Sequence, residues 1–500
     1  MFKELTKVFG ETVVYGLIGA ASTFISVFLV PIYTRILTPE DYGVTALLTT
    51  LFVIIGVIAN LGMSSAIFWA YFKAKEEDRK AVVGTSFISQ TIFPFLISAI
   101  AFLLSGFVSS ALFGSQAYAY LVAISAVTLF FNIGIGVPLA LLRAEGRSAN
   151  FVSVSLSKII ATVLFSIVLV VLLKMGLAGV FLANLAGAIL GYLVGLGYTL
   201  RRISFTFSKY WLTEMLKFGL PMVPAGLAMW ALNSSDRYFL NAFASTADVG
   251  IYNVGYKVGS LVTLVVSALQ LAYPRFVFSI YNEKTNPQDY FKKIITYFYL
   301  LNFTFALAIS MFSKEAVQLL TGSAFHSAYT VVPLIAFSYV GLGLYYNFAT
   351  GVFVVGKTLY TTFAVLLAGG LNLILNYFLI SRFGMMGAAV SNLLSFALLA
   401  AAELYFSQRV YPIRIEFGRL FTVALIGSAL VVGSSFINFG FIVSVLIKML
   451  LFAIFPVLLY FFGFFEEREL KKIAKIWAVV KESHYHPKKI LNSIRQDLIA

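Results

Sequence analysis

The chain places lysines and arginines inside long apolar segments, where a charge is costly and usually faces a cavity. Lys158 and Lys257 lie about two helical turns inside their segments, or ~10 Å at 1.5 Å per residue. Lys448 has a similar depth, and Arg35 and Arg237 stand at matching ends of two other segments. Such cations either hold an anionic ligand or extend their charged ends to water. We predict that Arg35, Lys158, Arg237 and Lys257 bind ligand, with snorkelling or helix capping as the alternative.

Carboxamides accompany these charges at helical spacing. Asn233 stands four residues before Arg237, and Asn372 stands four before Asn376, so each pair shares one helical face. Amides there can hydrogen-bond a polar ligand, or they can hold neighbouring helices together. We predict that Asn233, Asn372 and Asn376 contact ligand, and the structural role stays open.

Acids are few within the apolar segments. Asp236 either neutralises the adjoining Arg237 or binds a coupling cation, H+ or Na+, and we name it as the coupling-ion candidate. Glu11 and Glu403 lie near segment ends, where we expect them to be solvated.

Cysteine is absent from the sequence and histidine occurs three times, at His326, His484 and His486. Disulfides, thiolate metal sites and cysteine nucleophiles are therefore excluded. We predict no catalytic residues, no metal site and no cofactor.

The elements that position these residues must be membrane-spanning helices. The chain is 60% hydrophobic and 11% charged, with a mean hydropathy of +0.93, which excludes an ordinary soluble protein. About fourteen apolar runs, centred from Thr23 to Phe452, each reach the roughly 20 residues that a span needs. In lipid, backbone groups must be satisfied within the segment. We predict an all-α, polytopic protein with about 14 transmembrane helices.

The net charge of +15 follows the predicted topology. Connections on one side carry most of the basic residues, from Lys73 to Arg419, whereas the other side holds Arg35, Lys174, Arg237, Lys314 and Arg382. Basic residues concentrate on the cytoplasmic side. We predict a multi-pass protein of the inner or plasma membrane with both termini cytoplasmic, which contacts anionic membrane lipids and no nucleic acid.

Short motifs recur at offsets of 202 to 208 residues. Asp41, Tyr42 and Gly43 recur as Asp248, Val249 and Gly250, Arg35 as Arg237, and Asn184 as Asn392. Duplicated bundles are common in transporters. We predict two six-helix repeats, residues 1–200 and 201–410, related by a pseudo-twofold along the membrane normal. Two additional spans (411–464) and a basic amphipathic cytoplasmic tail (465–500) follow.

Four segments together resemble a known family. They are residues 35–43 (RILTPEDYG), 142–147 (LRAEGR), 236–240 (DRYFL) and 250–252 (GIY). Over about residues 5–460 the chain resembles the O-antigen-type flippases among the polysaccharide exporters of the multidrug/oligosaccharidyl-lipid/polysaccharide exporter superfamily.

The resemblance implies a transporter rather than an enzyme. Its substrate would be a lipid-linked oligosaccharide on undecaprenyl pyrophosphate, moved from the cytoplasmic to the outer leaflet for surface polysaccharide biosynthesis. Alternating access would carry it through a cationic central cavity. An ion-coupled drug or metabolite exporter of the same superfamily is the main alternative. A membrane glycan polymerase or ligase and a structural scaffold are further ones.

Overall fold

A computed structural model describes residues 26–268, 270, 277, 281, 287–467 and 469–471. Helices account for the regular structure of these residues, which contain no strand. The first half contains α1 Val30–Ile36, α2 Pro39–Asn60, α3 Met63–Lys73, α4 Arg79–Leu103, α5 Ser105–Phe113, α6 Ala119–Gly134, α7 Gly136–Ala144, α8 Ser148–Ser166 and α9 Gly176–Thr199.

The second half contains α10 Lys209–Gly219, α11 Met222–Ser234, α12 Asp236–Phe243, α13 Thr246–Gly259, α14 Pro287–Met311, α15 Ser313–Leu320, α16 Val332–Phe348, α17 Thr350–Val355, α18 Leu359–Leu375 and α19 Ser381–Val410. Short 3-10 turns cover Glu76–Asp78, Gln116–Tyr118, Leu200–Arg202, Ser260–Val262 and Ser323–Thr330. The last two helices are α20 Phe417–Ser435 and α21 Phe441–Phe461.

Among the described residues, 11 helices are long and apolar enough to cross a membrane, or 12 if one bent pair forms a single span. The bent pair is α10 with α11, which meet at 42° beside Pro221. One continuous stretch, Leu359–Val410, has 52 residues, enough for two spans. The all-helical membrane fold is thus confirmed, and the number fourteen stays a prediction because the first span lies mostly outside the described residues.

The chain divides into two compact units, one up to Arg414 and one from Ile415 on. In the second unit Lys448 is buried, at 4% exposure, and Arg419 forms ion pairs with Glu416, Glu466 and Glu469. Glu11 and most of the predicted basic tail lie outside the described residues.

Local features recur at the spacing of the sequence repeat. A π-helical segment at Ile167–Leu172 precedes Gly176 (φ 56°), and another at Asn376–Ile380 precedes Gly384 (φ 52°). The Thr38 side chain caps α2 by accepting a hydrogen bond from the Asp41 backbone N–H. In the same way, the Ser245 side chain caps α13 by accepting one from the Asp248 backbone N–H. The two halves therefore fold alike at these points, whereas their pseudo-twofold relation stays a prediction.

The amino-terminal ends of α2 and α13 pack together through glycines. A Cβ added at Gly43 would lie 1.8 Å from the Thr246 carbonyl oxygen, and one at Gly250 would lie 1.9 Å from that of Pro39. Real Cβ atoms do not approach so closely, so only glycine fits at either position. The contact is reciprocal, because Gly43 and Gly250 are equivalent in the repeat, and so are Pro39 and Thr246.

Helices α3 and α10 join the two halves at another place. The Trp69 ring stacks on Phe218 with centroids 4.9 Å apart, and Lys73 Nζ lies 2.8 Å from a Glu214 carboxylate oxygen. The contacts between the halves thus include one made by buried glycines and another made by an aromatic stack with a surface ion pair.

Candidate functional site

A cavity of about 510 Å³ opens among α2, α3, α6, α8 and α9. Its polar lining consists of Thr45, Thr49, Asn60, Ser64, Ser125, Thr128, Asn132, Lys158 and Asn184. Leu48, Phe52, Val53, Val57, Leu129, Ile133 and Phe181 supply its apolar walls. The cavity therefore offers hydrogen-bonding groups inside a membrane bundle, and every described residue that lines it belongs to the first half.

Lys158 is the one charged side chain among the described residues that line this cavity. Its Nζ donates to Asn132 Oδ1 on α6 at 2.6 Å. A Cβ on Gly191 would lie 2.9 Å from the Lys158 Cβ, so α9 approaches α8 closely there. A half-buried ammonium, held by an amide rather than by an acid, can still attract an anion.

Asp236 and Arg237 form a buried ion pair in the second half, with 1% and 6% of their surfaces exposed. Arg237 Nη1 lies 3.0 Å from Asp236 Oδ1 and donates to the Asn233 carbonyl at 2.8 Å. Its guanidinium also donates to Asn253 Oδ1 and stacks on the Tyr256 ring at 4.4 Å. Asp236 therefore neutralises the charge of Arg237, which is one of the two roles that the sequence left open for it.

The remaining oxygen of Asp236 is also engaged. Asn392 Nδ2 donates to Oδ2 at 2.9 Å, and the Tyr252 hydroxyl donates a short hydrogen bond to the same oxygen. With the Arg237 backbone N–H and Nη1 on Oδ1, the carboxylate accepts four hydrogen bonds from protein. Four is about the full capacity of a carboxylate. A coupling cation would therefore have to displace protein donors.

The predicted amides of the second half are largely bonded to protein. Asn372 and Asn376 are fully buried, and the Asn376 amide donates to Asn372 Oδ1 at 2.9 Å. Ser235 donates to the same oxygen, and the Asn372 amide donates to Ser395 at 3.1 Å. Asn233 donates to the Met229 carbonyl within its own helix. In this conformation Asn372 and Asn376 therefore make contacts of the kind that hold neighbouring helices together, which was the structural alternative to ligand binding.

Arg35 and Lys257 lie apart from that network. Arg35 is exposed and donates to the Leu319 carbonyl at 3.3 Å. Lys257 Nζ donates to the Tyr42 hydroxyl at 2.8 Å, linking α13 to α2. Lys158 is thus the one member of the predicted set that lines the cavity in the described structure.

The expectation that Glu403 is solvated is wrong, because its side chain is fully buried. Sequence reasoning also passed over Asn60, Asn132 and Asn184, which line the cavity. Asn184 carried a signal, since it recurs as Asn392. Asn60 and Asn132 carried none beyond being amides inside apolar runs.

Comparison with known proteins places this fold. The family model for polysaccharide biosynthesis proteins matches residues 32–330. An Lsg locus protein of Haemophilus influenzae is 21% identical over 327 residues, which are 64% of this chain and 78% of that protein. This relationship is distant, so the family match carries the assignment.

Solved structures show the same architecture. The lipid II flippase MurJ, in an inward closed conformation, matches with a TM-score of 0.72 at 13% identity, over 89% of this chain and 98% of that chain. An inward-facing multidrug resistance MATE family transporter of the MOP superfamily matches with a TM-score of 0.59 at 16% identity, over 78% of this chain and 94% of that chain. The MATE transporter VcmN of Vibrio cholerae matches with a TM-score of 0.59 at 15% identity, over 81% of this chain and 96% of that chain.

The family match spans more than half of the 500 residues, and the structural matches confirm the helical membrane fold that the apolar runs predicted. We therefore identify the chain as a multi-pass membrane protein of the polysaccharide biosynthesis protein family.

Proposed function

We propose that this protein moves a lipid-linked oligosaccharide, carried on undecaprenyl pyrophosphate, from the cytoplasmic to the outer leaflet for surface polysaccharide biosynthesis. The observation that carries the proposal is the polar cavity around Lys158 within apolar spans. Each sugar hydroxyl taken unpaired through hydrocarbon costs several kcal/mol. A polar cavity lowers that cost while the lipid tail stays in the bilayer. The family assignment and the fold shared with a lipid II flippase support a transporter rather than an enzyme.

The cavity chemistry suits a glycan with a charged head. Asn60, Asn132 and Asn184 present amide donors and acceptors, and nearby serines and threonines add hydroxyls. Lys158 supplies a point charge for the pyrophosphate. Arg35, Lys257 and Arg237 stay predicted substrate contacts, which require a conformation with the halves arranged differently.

Two of the contacts between the halves suggest how alternating access would work. In the predicted orientation the Gly43–Gly250 contact faces outward, and the Lys73–Glu214 contact faces the cytoplasm. Rocking one half against the other would open them in turn.

Lys158 variants test the proposal. Lys158→Arg should retain part of glycan export in a host that lacks its own flippase, whereas Lys158→Ala and Lys158→Gln should lose most of it at equal membrane abundance. Lys209→Ala is the matched control, because Lys209 is exposed at the start of α10 and is not among the cavity residues. Full export by both Lys158→Ala and Lys158→Gln would overturn the cationic role of Lys158, whereas absence of glycan export by the wild type would overturn the proposed function.

The drug or metabolite exporter remains the second candidate, since its fold is shared with MATE transporters. The two helices α20 and α21 favour the flippase, because drug exporters of this superfamily usually have twelve spans. A host expressing the wild-type chain should gain glycan export and no drug resistance. Resistance without glycan export would favour the exporter.

The proposed orientation can be measured in this cysteine-free chain. Ser115→Cys and Ser323→Cys should react with an impermeant thiol reagent in intact cells, while Glu77→Cys should react only after lysis. All three positions are exposed, so their reactivity reports the side of the membrane. Labelling of Glu77→Cys in intact cells would reverse the topology.

A further inference from the structure

Glu403 is a buried acid to which no role has been given. It lies on α19, seven residues before the helix ends at Val410, or ~10 Å along the axis. Its side chain is fully buried, and Oε1 accepts from the Thr361 hydroxyl of α18 at 2.9 Å. Oε2 has no hydrogen-bond partner, and no described lysine or arginine pairs with this carboxyl.

The helices around Glu403 supply little compensation for a negative charge. Gly341 lies against Phe396 and Gly351 against Ser407, so residues 345–348 at the end of α16 run level with Glu403. The titratable residues of this stretch are Tyr345 and Tyr346, whose hydroxyls are neutral near neutral pH and supply no positive charge. From α18 the facing group is the Thr361 hydroxyl, and along α19 the nearest basic residue, Arg409, stacks on Tyr405.

A second buried oxygen near this level also has no donor. Asn347 on α16 is fully buried, its amide donates to the Gly343 carbonyl, and its Oδ1 has no partner. Buried acceptors without donors are rare in native proteins. A proton on Glu403 removes an uncompensated charge and adds an O–H donor where acceptors are in excess.

We propose that Glu403 is a proton-binding site of the transport cycle, and this inference rests on the proposed function. In the conformation described here the carboxyl is neutral. When the ends of α16, α18 and α19 part, water reaches it, the carboxyl O–H bond breaks, and the proton passes to water and leaves a carboxylate. Burying that carboxylate again is costly, so the helices close after a proton has rebound.

The site favours a proton over Na+. Oε1 already accepts the hydrogen of the Thr361 hydroxyl, and Oε2 is a buried acceptor without a donor, which a proton on the carboxyl would satisfy. Asp236 differs, because Arg237 already compensates its charge. Glu403 therefore suits reversible protonation better than Asp236 does.

The protonation state can be read directly by infrared spectroscopy of the purified full chain in lipid nanodiscs. At neutral pH the wild type should show a carboxylic-acid C=O band that is absent from Glu403→Gln and shifted in Thr361→Val. Glu214→Gln, at a surface acid, is the matched control and should keep the band. A spectrum of Glu403→Gln identical to that of the wild type at neutral pH would overturn the site.

Export then tests whether the proton is used. Wild-type glycan export should fall when a protonophore collapses the proton gradient and should persist without Na+. Glu403→Gln should lose most export and its gradient dependence, and Glu403→Asp should recover part of both. If Glu403→Gln exported glycan at the wild-type level and still depended on the proton gradient, Glu403 would have only a structural role and the proposal would be overturned. Export by the wild type that is driven by Na+ would overturn it as well. If the wild type exports no glycan, the proposed function fails, and the infrared band alone decides the site.

Discussion

The two halves of the first unit use polar groups inside the membrane in opposite ways. In the first half, Lys158 reaches one amide, Asn132, at the wall of an open cavity. In the second half, Asp236 and Arg237 bond each other and are enclosed by Tyr252, Asn253 and further amides. Similar helices thus carry a cavity in one half and a closed polar core in the other.

The difference separates two uses of a costly charge. A buried ion pair with complete hydrogen bonding resists change, since removing one partner leaves the other uncompensated. A lysine with an amide partner keeps its charge available to a ligand. We therefore expect variants within the hydrogen-bonded core around Asp236 and Arg237 to act mainly on stability, and variants around Lys158 to act mainly on export.

The largest effect should come from breaking the buried pair. Arg237→Ala leaves Asp236 buried without its cation, and removal of one partner costs about 3–5 kcal/mol. The melting temperature of the purified protein in detergent should fall sharply. Arg35→Ala, at the repeat-matched and exposed arginine, is the control and should melt like the wild type. Equal melting temperatures of the two variants would contradict the claim that the second half holds its charges in a closed polar core.

The reciprocal glycine contact should come next. Gly43→Ala and Gly250→Ala each place a Cβ within 2 Å of a backbone carbonyl, and overpacking typically costs about 1–3 kcal/mol. Both variants should melt earlier and export less. Gly106→Ala is the control, because its Cβ would meet a side-chain atom at 4.0 Å. Wild-type melting of Gly43→Ala would show that α2 and α13 separate easily.

A matched pair of amides sharpens the comparison. Asn372→Ala removes hydrogen bonds to Ser235, Asn376 and Ser395 and should destabilise by about 1–3 kcal/mol. Asn132→Ala removes one bond to Lys158 at the cavity wall, so its melting should change less while export declines. The reverse order of melting temperatures would contradict the assignment of cavity and core.

The smallest effect is expected at the Lys73–Glu214 ion pair. Exposed pairs contribute little because water screens them, so Lys73→Gln should leave the melting temperature unchanged. Trp69→Ala, which removes the stack on Phe218, should lower it by comparison. A marked loss of stability in Lys73→Gln would indicate that this contact is less hydrated than its exposure implies.

Much of this arrangement could be predicted from the sequence. Apolar run length locates the spans, and each predicted centre from Val57 to Phe452 falls in a described helix or, at Val262, in the 3-10 turn that follows α13. The adjacency of Asp236 and Arg237 suggested neutralisation, and the spacing of Asn372 and Asn376 gave a shared face. These properties are local, so periodicity and neighbouring residues are enough to reveal them.

The cavity could not be predicted, because its lining depends on how helices are rotated against one another. Asn60, Asn132 and Asn184 sit on three helices, and no spacing within one segment shows that they converge. Glu403 was misjudged for a related reason. It lies near the end of its helix, but α16 and α18 cover that end.

The paired glycines also bear on how this chain can evolve. In a dimer of identical subunits one glycine would make both contacts, and one codon change would damage the interface twice. Here Gly43 and Gly250 belong to separate codons, so each contact can diverge alone. Divergence is visible one residue earlier, where Tyr42 accepts a hydrogen bond from Lys257 while its counterpart Val249 has no hydroxyl to offer. In this single chain the Lys257–Tyr42 hydrogen bond therefore lies on one side of the glycine contact, and the Val249 side has no equivalent hydroxyl.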